Sequence, residues 1–227
     1  MMAKVTIKGV IVSNDDKWIY EWFDMEATSP QDVTNVIEQL DGEDLLVEIN
    51  SVGGDVFAGS EIYTALKKYP GKVTVDILGV AASAASVVAM AGDTVRISPT
   101  AQIMIHNVWS MAQGDYRAMQ HESDVLKNYN TTIANAYRLK TGLSEKKLLE
   151  LMDEETWLNA QQARELGFVD EILFDDSDQL VAAMNSVVLP PKVINKIRNI
   201  VKSKDNKKQI YKARLRLLEL GGLIVDE

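Results

Sequence analysis

The stretch that decides the fold runs from Val73 to Ala91 and reads VTVDILGVAASAASVVAMA. Its first part, Val73–Leu78, is apolar and rich in β-branched residues, which predicts a buried strand. Its last part, Ser83–Ala91, consists of small and apolar residues and predicts a short helix. A strand that leads directly into a helix is the repeating unit of α/β proteins.

The segments around this unit repeat the same alternation. We predict an α/β fold with a largely parallel sheet, since strands and helices follow one another along most of the chain. Capping signals mark two helix starts, at Ser29-Pro30 and at Asn159 with Gln162. The predicted strands are residues 3–12, Trp18–Phe23, Leu45–Ile49, Val73–Leu78, Val95–Ile97, Ile103–Ile105 and Val169–Phe174. The predicted helices are residues 29–40, Val56–Tyr69, Ser83–Ala91, Gln113–Thr141, Ser144–Met152 and 159–166.

The composition excludes several kinds of site. The chain has 227 residues, no cysteine and only two histidines. A disulfide framework, a thiolate zinc site, an iron–sulfur cluster and a cysteine nucleophile are therefore excluded. We expect neither a metal ion nor a cofactor.

The longest charge-free apolar stretch, Ile77–Gly92, has 16 residues and is too short to span a bilayer. With no signal peptide visible at the N-terminus, we expect a cytoplasmic protein that makes no membrane contact.

Charge is distributed unevenly along the chain. The net charge is −9, but residues 190–216 carry ten Lys or Arg and a single acid, whereas residues 1–189 carry a net −15.

At about 150 residues per domain, the length predicts one domain and an appendage. We place the domain at residues 1–174 and a C-terminal extension at 175–227, with a linker near 189–191. Two basic amphipathic helices are predicted beyond it, at about 192–202 and 207–219.

Four places carry candidate chemistry, and each also has a purely structural interpretation. The Gly53-Gly54 pair offers backbone amides after a strand, or is simply a tight turn. Ser83 begins a helix, where the helix dipole favours developing negative charge, or belongs to a packed core helix. His106 ends an apolar strand as a candidate base or as a structural histidine. Acids at 153–155 are candidates to orient an imidazole, or form a solvated loop. His121, the alternative base, falls in a polar helix and is expected to be solvated.

Taken together, these places supply a nucleophile, a base, an acid and oxyanion donors, which are the parts of a serine hydrolase. Four motifs surround these residues: INSVGGDVFAG (49–59), the stretch Gly79 to Ser83, MIHN (104–107), and WLNAQQA with LGFVD (157–170). Together they resemble the proteolytic subunit of the Clp protease over about residues 4–174. The variant form of two of them, AASAAS and ETWL, is closest to the Clp-like head-maturation proteases of tailed phages and prophages.

The resemblance implies roles for individual residues. It makes Ser83 the nucleophile, His106 the general base, and Glu155 the third member of the triad, where the family usually has an aspartate. Asp153 is the alternative third member. The oxyanion amides map to Gly54 and Ala84, beside Gly53 in the substrate-binding turn.

It also implies an architecture and partners. The expected fold is a Clp protease/crotonase-like spiral of ββα units in which Gln113–Thr141 forms a long handle helix. In the family this handle joins two stacked heptameric rings, so we expect a homo-oligomer. The first predicted strand begins at about residue 3, leaving little room for the segment that engages an unfoldase ATPase, so we do not expect obligatory ATPase coupling.

The expected function is therefore serine endopeptidase cleavage of scaffold or capsid precursors through an acyl-enzyme, in the host cytoplasm or in procapsids. Three alternatives remain open: a housekeeping Clp peptidase subunit that works with an unfoldase, a crotonase-like acyl-CoA enzyme, and an inactive ring-forming assembly protein. The basic extension is a candidate to bind an acidic scaffold, nucleic acid or a partner subunit. Its other interpretation is a pair of helices with solvated basic faces.

Overall fold

An eight-stranded, mainly parallel sheet forms the centre of the computed structural model, which describes residues 3–175. The strand order is β2-β1-β3-β4-β5-β8, with β6 beside β4 and β7 beside β6. All pairs are parallel except β6–β7. The strands are β1 (Ala3–Ile11), β2 (Ala27–Thr28), β3 (Leu45–Gly54), β4 (Val73–Ala82), β5 (Thr94–Ile97), β6 (Gln102–Ile105), β7 (Thr156–Asn159) and β8 (Glu171–Ile172).

Seven helices are described within residues 3–175; α5 and α6 lie between the antiparallel strands β6 and β7, and the others lie between the remaining strands. They are α1 (Lys17–Trp22), α2 (Pro30–Ile37), α3 (Val56–Lys68), α4 (Ala84–Ala89), α5 (Tyr116–Thr141), α6 (Glu145–Asp153) and α7 (Ala160–Glu165). The α/β class with a largely parallel sheet is therefore confirmed. The predicted linker near 189–191 and the two basic helices lie outside the described residues. None of the helices within 3–175 is both long and apolar enough to cross a membrane.

The central strand β4 has two partners on one side. Its first half, Thr74–Ile77, pairs with β5, and its second half, Val80–Ala82, pairs with β6. The sheet thus branches just before Ser83. The C-terminal ends of β4 and β6 lie side by side at that branch, in the parallel register Ala82 to Met104. This arrangement brings the residues that follow both strands to one place.

The core lies between the sheet and helices α3 and α4. Apolar side chains of β3 and β4 are fully buried, among them Val47 and Ile77. From the helices, Ile62 of α3 and Val88 of α4 are buried just as completely. Most residues of α4 are small, so this helix packs close to the sheet. This close packing fixes the position of the helix N-terminus.

The two helix starts that capping signals marked are confirmed, whereas α2 ends at Ile37 rather than at residue 40. At the start of α2, the Ser29 amide donates to the Asp32 carboxylate at 2.7 Å. At the start of α7, the Gln162 amide donates to Asn159 Oδ1 at 2.9 Å. The long helix α5 ends before Gly142 as predicted, but begins at Tyr116 because Asp115 caps it through the amides of the first turn.

The prediction of a strand over Trp18–Phe23 was wrong, since these residues form helix α1 and the turn after it. The reason lies in the topology. Strand β2 pairs in parallel with β1, and a parallel pair needs a crossover connection rather than a hairpin. Both sides of β1 are occupied by β2 and β3, so no place remains for an additional strand here.

Three strands also differ in length from the prediction. Strands β3 and β4 extend beyond the predicted ends at Ile49 and Leu78, because the small residues that follow can remain extended beside β1 and β6. The last strand is shorter than Val169–Phe174 and covers only Glu171–Ile172, where it pairs with the end of β5.

One cross-strand ion pair lies in the body of the sheet. Arg96 of β5 donates two hydrogen bonds to the carboxylate of Asp76 on β4, at 2.6 and 2.8 Å. These hydrogen bonds hold the pKa of Arg96 above its ordinary value. Asp76 is only 8% exposed, so its charge depends on this partner for stabilisation.

We expect Arg96→Met to lower the free energy of unfolding by about 2 kcal/mol, because it leaves the Asp76 carboxylate buried without a cation. The matched control is Lys4→Met, which breaks the more exposed pair between Lys4 and Glu48 and should cost less than about 1 kcal/mol. Urea unfolding followed by tryptophan fluorescence measures both. Equal losses for the two variants would contradict this account of the ion pair.

Candidate active site

Ser83 occupies a sharp turn between the end of β4 and the start of α4. Its φ of 54° and ψ of −126° lie in a region that residues with a side chain rarely adopt. Both backbone polar groups of Ser83 are hydrogen-bonded. Ser83 N donates to Met104 O at 2.9 Å, and Ser83 O accepts from Ser86 N at 2.9 Å. A serine on a strained strand-to-helix turn is a recurring way of presenting a nucleophilic hydroxyl.

His106 lies beside this turn because it follows β6, the strand paired with the end of β4. Its Nε2 is 2.7 Å from Ser83 Oγ. This distance suits proton transfer between a hydroxyl and an imidazole base. The second histidine, His121, is exposed on α5, as predicted. The structure therefore brings together Ser83 and His106, the two residues that the sequence nominated as nucleophile and base.

The Gly53-Gly54 pair at the end of β3 lies against the Ser83 turn. Both glycines have positive φ, 89° and 148°. A Cβ added at Gly53 would lie 2.5 Å from Ala82 O and 2.9 Å from Ala84 N, and one added at Gly54 would lie 2.1 Å from Ile11 O. Only glycine permits this close approach of two backbone segments.

The amides near Ser83 have different partners. Gly53 N donates to Ser51 Oγ at 3.1 Å, so within this turn Gly54 is the better candidate to donate to an oxyanion. Ala84 is the first residue of α4, and the first amides of a helix lack partners inside the helix. Backbone amides of this kind, placed beside a nucleophile, can stabilise a developing oxyanion.

The two acids nominated as third triad member do not reach the imidazole. Within residues 3–175, no carboxylate is hydrogen-bonded to His106. Glu155 Oε1 accepts from Trp157 Nε1 at 3.4 Å, and the Glu155 backbone has a φ of 48°. Asp153 Oδ1 accepts from Nδ2 of Asn107 at 2.7 Å, so this acid contacts the neighbour of His106 instead.

A buried link between α4 and α5 was not foreseen from the sequence. Ser86 Oγ donates to Ser83 O at 2.6 Å and lies 2.8 Å from Tyr137 OH. Because the Ser86 proton is used on Ser83, the Tyr137 hydroxyl is the donor to Ser86. Burial raises the pKa of Tyr137, so the phenol keeps its proton. The one sequence feature that points to this link is Ser86 itself, a polar residue inside an otherwise apolar helix.

A groove of about 710 Å³ opens beside the nucleophile. It is lined mainly by apolar side chains and by Ser83, His106 and the Gly53-Gly54 turn. Its outer wall comes from one face of α5. Apolar side chains that line the groove include Val52, Phe57, Val87, Trp109, Val125, Leu126, Tyr129 and Ile133.

No group of three or more His, Asp or Glu side chains within residues 3–175 is arranged to hold a metal ion.

We predict that Tyr137→Phe slows the reaction of Ser83 with a fluorophosphonate by about fivefold, since a lost hydrogen bond of roughly 1 kcal/mol loosens the strained turn. Ser86→Ala should slow it at least as much. The second-order rate of labelling is measured together with the thermal midpoint.

The matched control is Thr132→Val, which removes another hydroxyl from α5, one that bonds Asn128 O at 2.9 Å. This control should react at the wild-type rate. Wild-type labelling rates in both Tyr137→Phe and Ser86→Ala would show that the link does not position Ser83.

Comparisons with known proteins agree with the fold. The family model described as Clp protease matches residues 26–176. An ATP-dependent Clp protease proteolytic subunit from Chlorella vulgaris is 33% identical over 143 residues, which cover 62% of this chain and 70% of that protein. Proteolytic subunit 1 from Chlamydia muridarum is 31% identical over 162 residues, 69% of this chain and 78% of that protein.

A solved structure is also similar. A mutant of ClpP1 from Listeria monocytogenes superposes with a TM-score of 0.62 at 22% sequence identity, covering 77% of this chain and 92% of its own. At this identity the likeness supports the fold alone. The family model covers well over half of the sequence and includes Ser83, His106 and both candidate acids. This chain belongs to the Clp protease family.

Proposed function

We propose that this chain is a Clp-type serine endopeptidase whose nucleophile is Ser83 and whose general base is His106. The observation that carries the proposal is the 2.7 Å contact between Ser83 Oγ and His106 Nε2, made at a strained turn that opens into a groove. Strain of this kind persists only where the surrounding structure enforces it, and it occurs preferentially at functional sites.

The mechanism follows from these positions. Ser83 Oγ attacks the carbonyl carbon of a peptide bond while His106 Nε2 takes the hydroxyl proton. The amides of Gly54 and Ala84 donate to the oxygen that becomes negative. His106 then returns the proton to the leaving amine, which departs and leaves an acyl group on Ser83. Water, deprotonated by the same imidazole, hydrolyses this ester and restores the serine.

Strand register supports Glu155 as the residue that orients His106. In the antiparallel pair of β6 and β7, Ile105 lies opposite Thr156. Glu155 precedes the first residue of β7 and has a φ of 48°, and extending the register by one residue would set it opposite His106. Residues directly opposite in an antiparallel pair have Cβ atoms about 5 Å apart, within reach of a glutamate side chain. In this proposal the Glu155 carboxylate leaves Trp157 Nε1, which now donates to it at 3.4 Å, and accepts from His106 Nδ1.

We therefore predict that Glu155→Gln lowers kcat by about 100-fold or more, since it removes the negative charge that stabilises the imidazolium. Asp153→Asn serves as the matched control, because that carboxylate bonds Asn107 rather than His106, and it should lower kcat by less than about tenfold. Peptide hydrolysis by both purified variants measures this difference. A larger loss of kcat in Asp153→Asn than in Glu155→Gln would make Asp153, not Glu155, the third member of the triad.

We propose further that the natural substrates are scaffold or capsid precursors of a phage, processed in the host cytoplasm or in procapsids without obligatory ATPase coupling. The support is the variant form of the motifs around Ser83 and Trp157. Assembly into a homo-oligomeric ring, with two stacked heptamers as the family's arrangement, is supported by exposed apolar side chains on the handle helix α5, including Leu139 at 73% exposure.

Incubating the purified full-length chain with candidate structural precursors tests the proposal directly. We expect fragments of defined mass with the wild type and none with Ser83→Ala, because the acyl-enzyme cannot form without the hydroxyl. Equal turnover in the two proteins, or binding of a CoA thioester that depends on neither Ser83 nor His106, would contradict the serine protease mechanism.

One alternative has support of its own. The curated relatives are named ATP-dependent proteolytic subunits, which favours a peptidase that works with an unfoldase. The two proposals differ in what a folded substrate requires. If folded proteins are degraded only when an ATP-driven unfoldase is added, and precursors are not cleaved by the chain alone, the housekeeping function replaces precursor processing.

A further inference from the structure

We propose that Glu122 makes the groove select peptides that carry a lysine or arginine side chain close to the cleaved bond. This inference rests on the proposed peptidase function and adds a substrate class to it. It is independent of which precursor the protein cleaves.

Glu122 lies on the face of α5 that forms the wall of the groove. It lines the same groove as Ser83 and His106. Residues three, four and seven positions further along a helix share its face, and here these are Val125, Leu126 and Tyr129, which also line the groove. A face that only packed against the body of the protein would be expected to remain apolar at position 122 as well.

The Glu122 carboxylate has no cation beside it. Within residues 3–175, no ion pair or hydrogen bond to its side chain is found. Its helical neighbours at the interacting spacings are Ala118, Met119, Val125 and Leu126, none of which is charged. The nearest lysine and arginine along the helix contact other groups: Lys127 pairs with Asp124 at 3.9 Å, and Arg117 Nε donates to Tyr116 OH at 3.1 Å.

The other acid that lines the groove is already engaged. Asp55 caps α3 by accepting from Ala58 N at 2.7 Å. No lysine or arginine side chain lines the groove within the described part of the chain. Glu122 is therefore the carboxylate left to meet a substrate, in surroundings that are otherwise apolar.

These surroundings match the chemistry of a basic side chain. Glu122 is half-buried, and a carboxylate next to apolar groups gains from a cation that donates a charge-assisted hydrogen bond. Lysine and arginine also have aliphatic stems that pack on apolar surface while the charged end meets the carboxylate. Val125 and Leu126 supply that surface beside Glu122. An acidic side chain at the same place would be repelled.

Internally quenched peptides that differ only by lysine or norleucine at one position test the proposal, with each position on either side of the cleaved bond examined in turn. At one or more positions the wild type should prefer lysine by about fivefold in kcat/KM. Glu122→Gln should remove that preference, because it lowers kcat/KM for the lysine peptide more than for the norleucine peptide. Glu122→Lys should favour the peptide with aspartate at the same position.

The control variant is Glu61→Gln, which removes the same charge from an exposed position on α3 outside the groove and should keep the lysine preference. Peptide cleavage with no lysine preference at any position overturns this inference and leaves the proposed function intact. An equal loss of kcat on every peptide in Glu122→Gln also overturns it, since Glu122 would then act on the catalytic groups. Failure to cleave any peptide, together with unlabelled Ser83, overturns both.

Discussion

The hydrogen bond from Ser83 N to Met104 O, at 2.9 Å, is the interaction on which the site depends. It continues the pairing of β4 with β6 by one residue, past the point where β4 stops being a regular strand. Without it, the Ser83 peptide would be free to relax from its positive φ. Because His106 comes two residues after Met104, the same bond that strains the serine also fixes the distance from the serine to the imidazole.

The residues around this bond are small because three backbone segments meet there. Strand β3 reaches the turn through Gly53, strand β4 enters it through Ala82, and helix α4 leaves it through Ala84. Gly53 admits no Cβ without contact at 2.5 Å. Ser86 Oγ donates to the carbonyl of Ser83, and the Tyr137 hydroxyl donates in turn to Ser86. The turn is thus enclosed by packing and hydrogen bonds, and its Oγ faces the groove, where a substrate has access.

The sequence predicted much of this arrangement, and its failures have identifiable causes. Ser83, His106 and the Gly53-Gly54 pair could be named because strand ends and helix starts are visible in local patterns, and parallel strands bring such ends to one edge of the sheet. Helix α1 was misread as a strand because the choice depended on which sides of β1 were already paired, a tertiary property. The link from Ser86 to Tyr137 joins residues 51 positions apart, a separation over which a single sequence carries no periodic signal. The register of β6 with β7, on which the proposed role of Glu155 rests, is likewise not fixed by local patterns.

The central claim is that Ser83 is the activated nucleophile of this fold. It is tested most directly by reacting the folded protein with a fluorophosphonate and locating the adduct by peptide mass mapping. The account predicts a single adduct on Ser83 in the wild type, and its loss in His106→Ala, which keeps the serine but removes the base. A folded wild-type protein with its adduct on another serine, or with Ser83 labelled equally fast in His106→Ala, would contradict it.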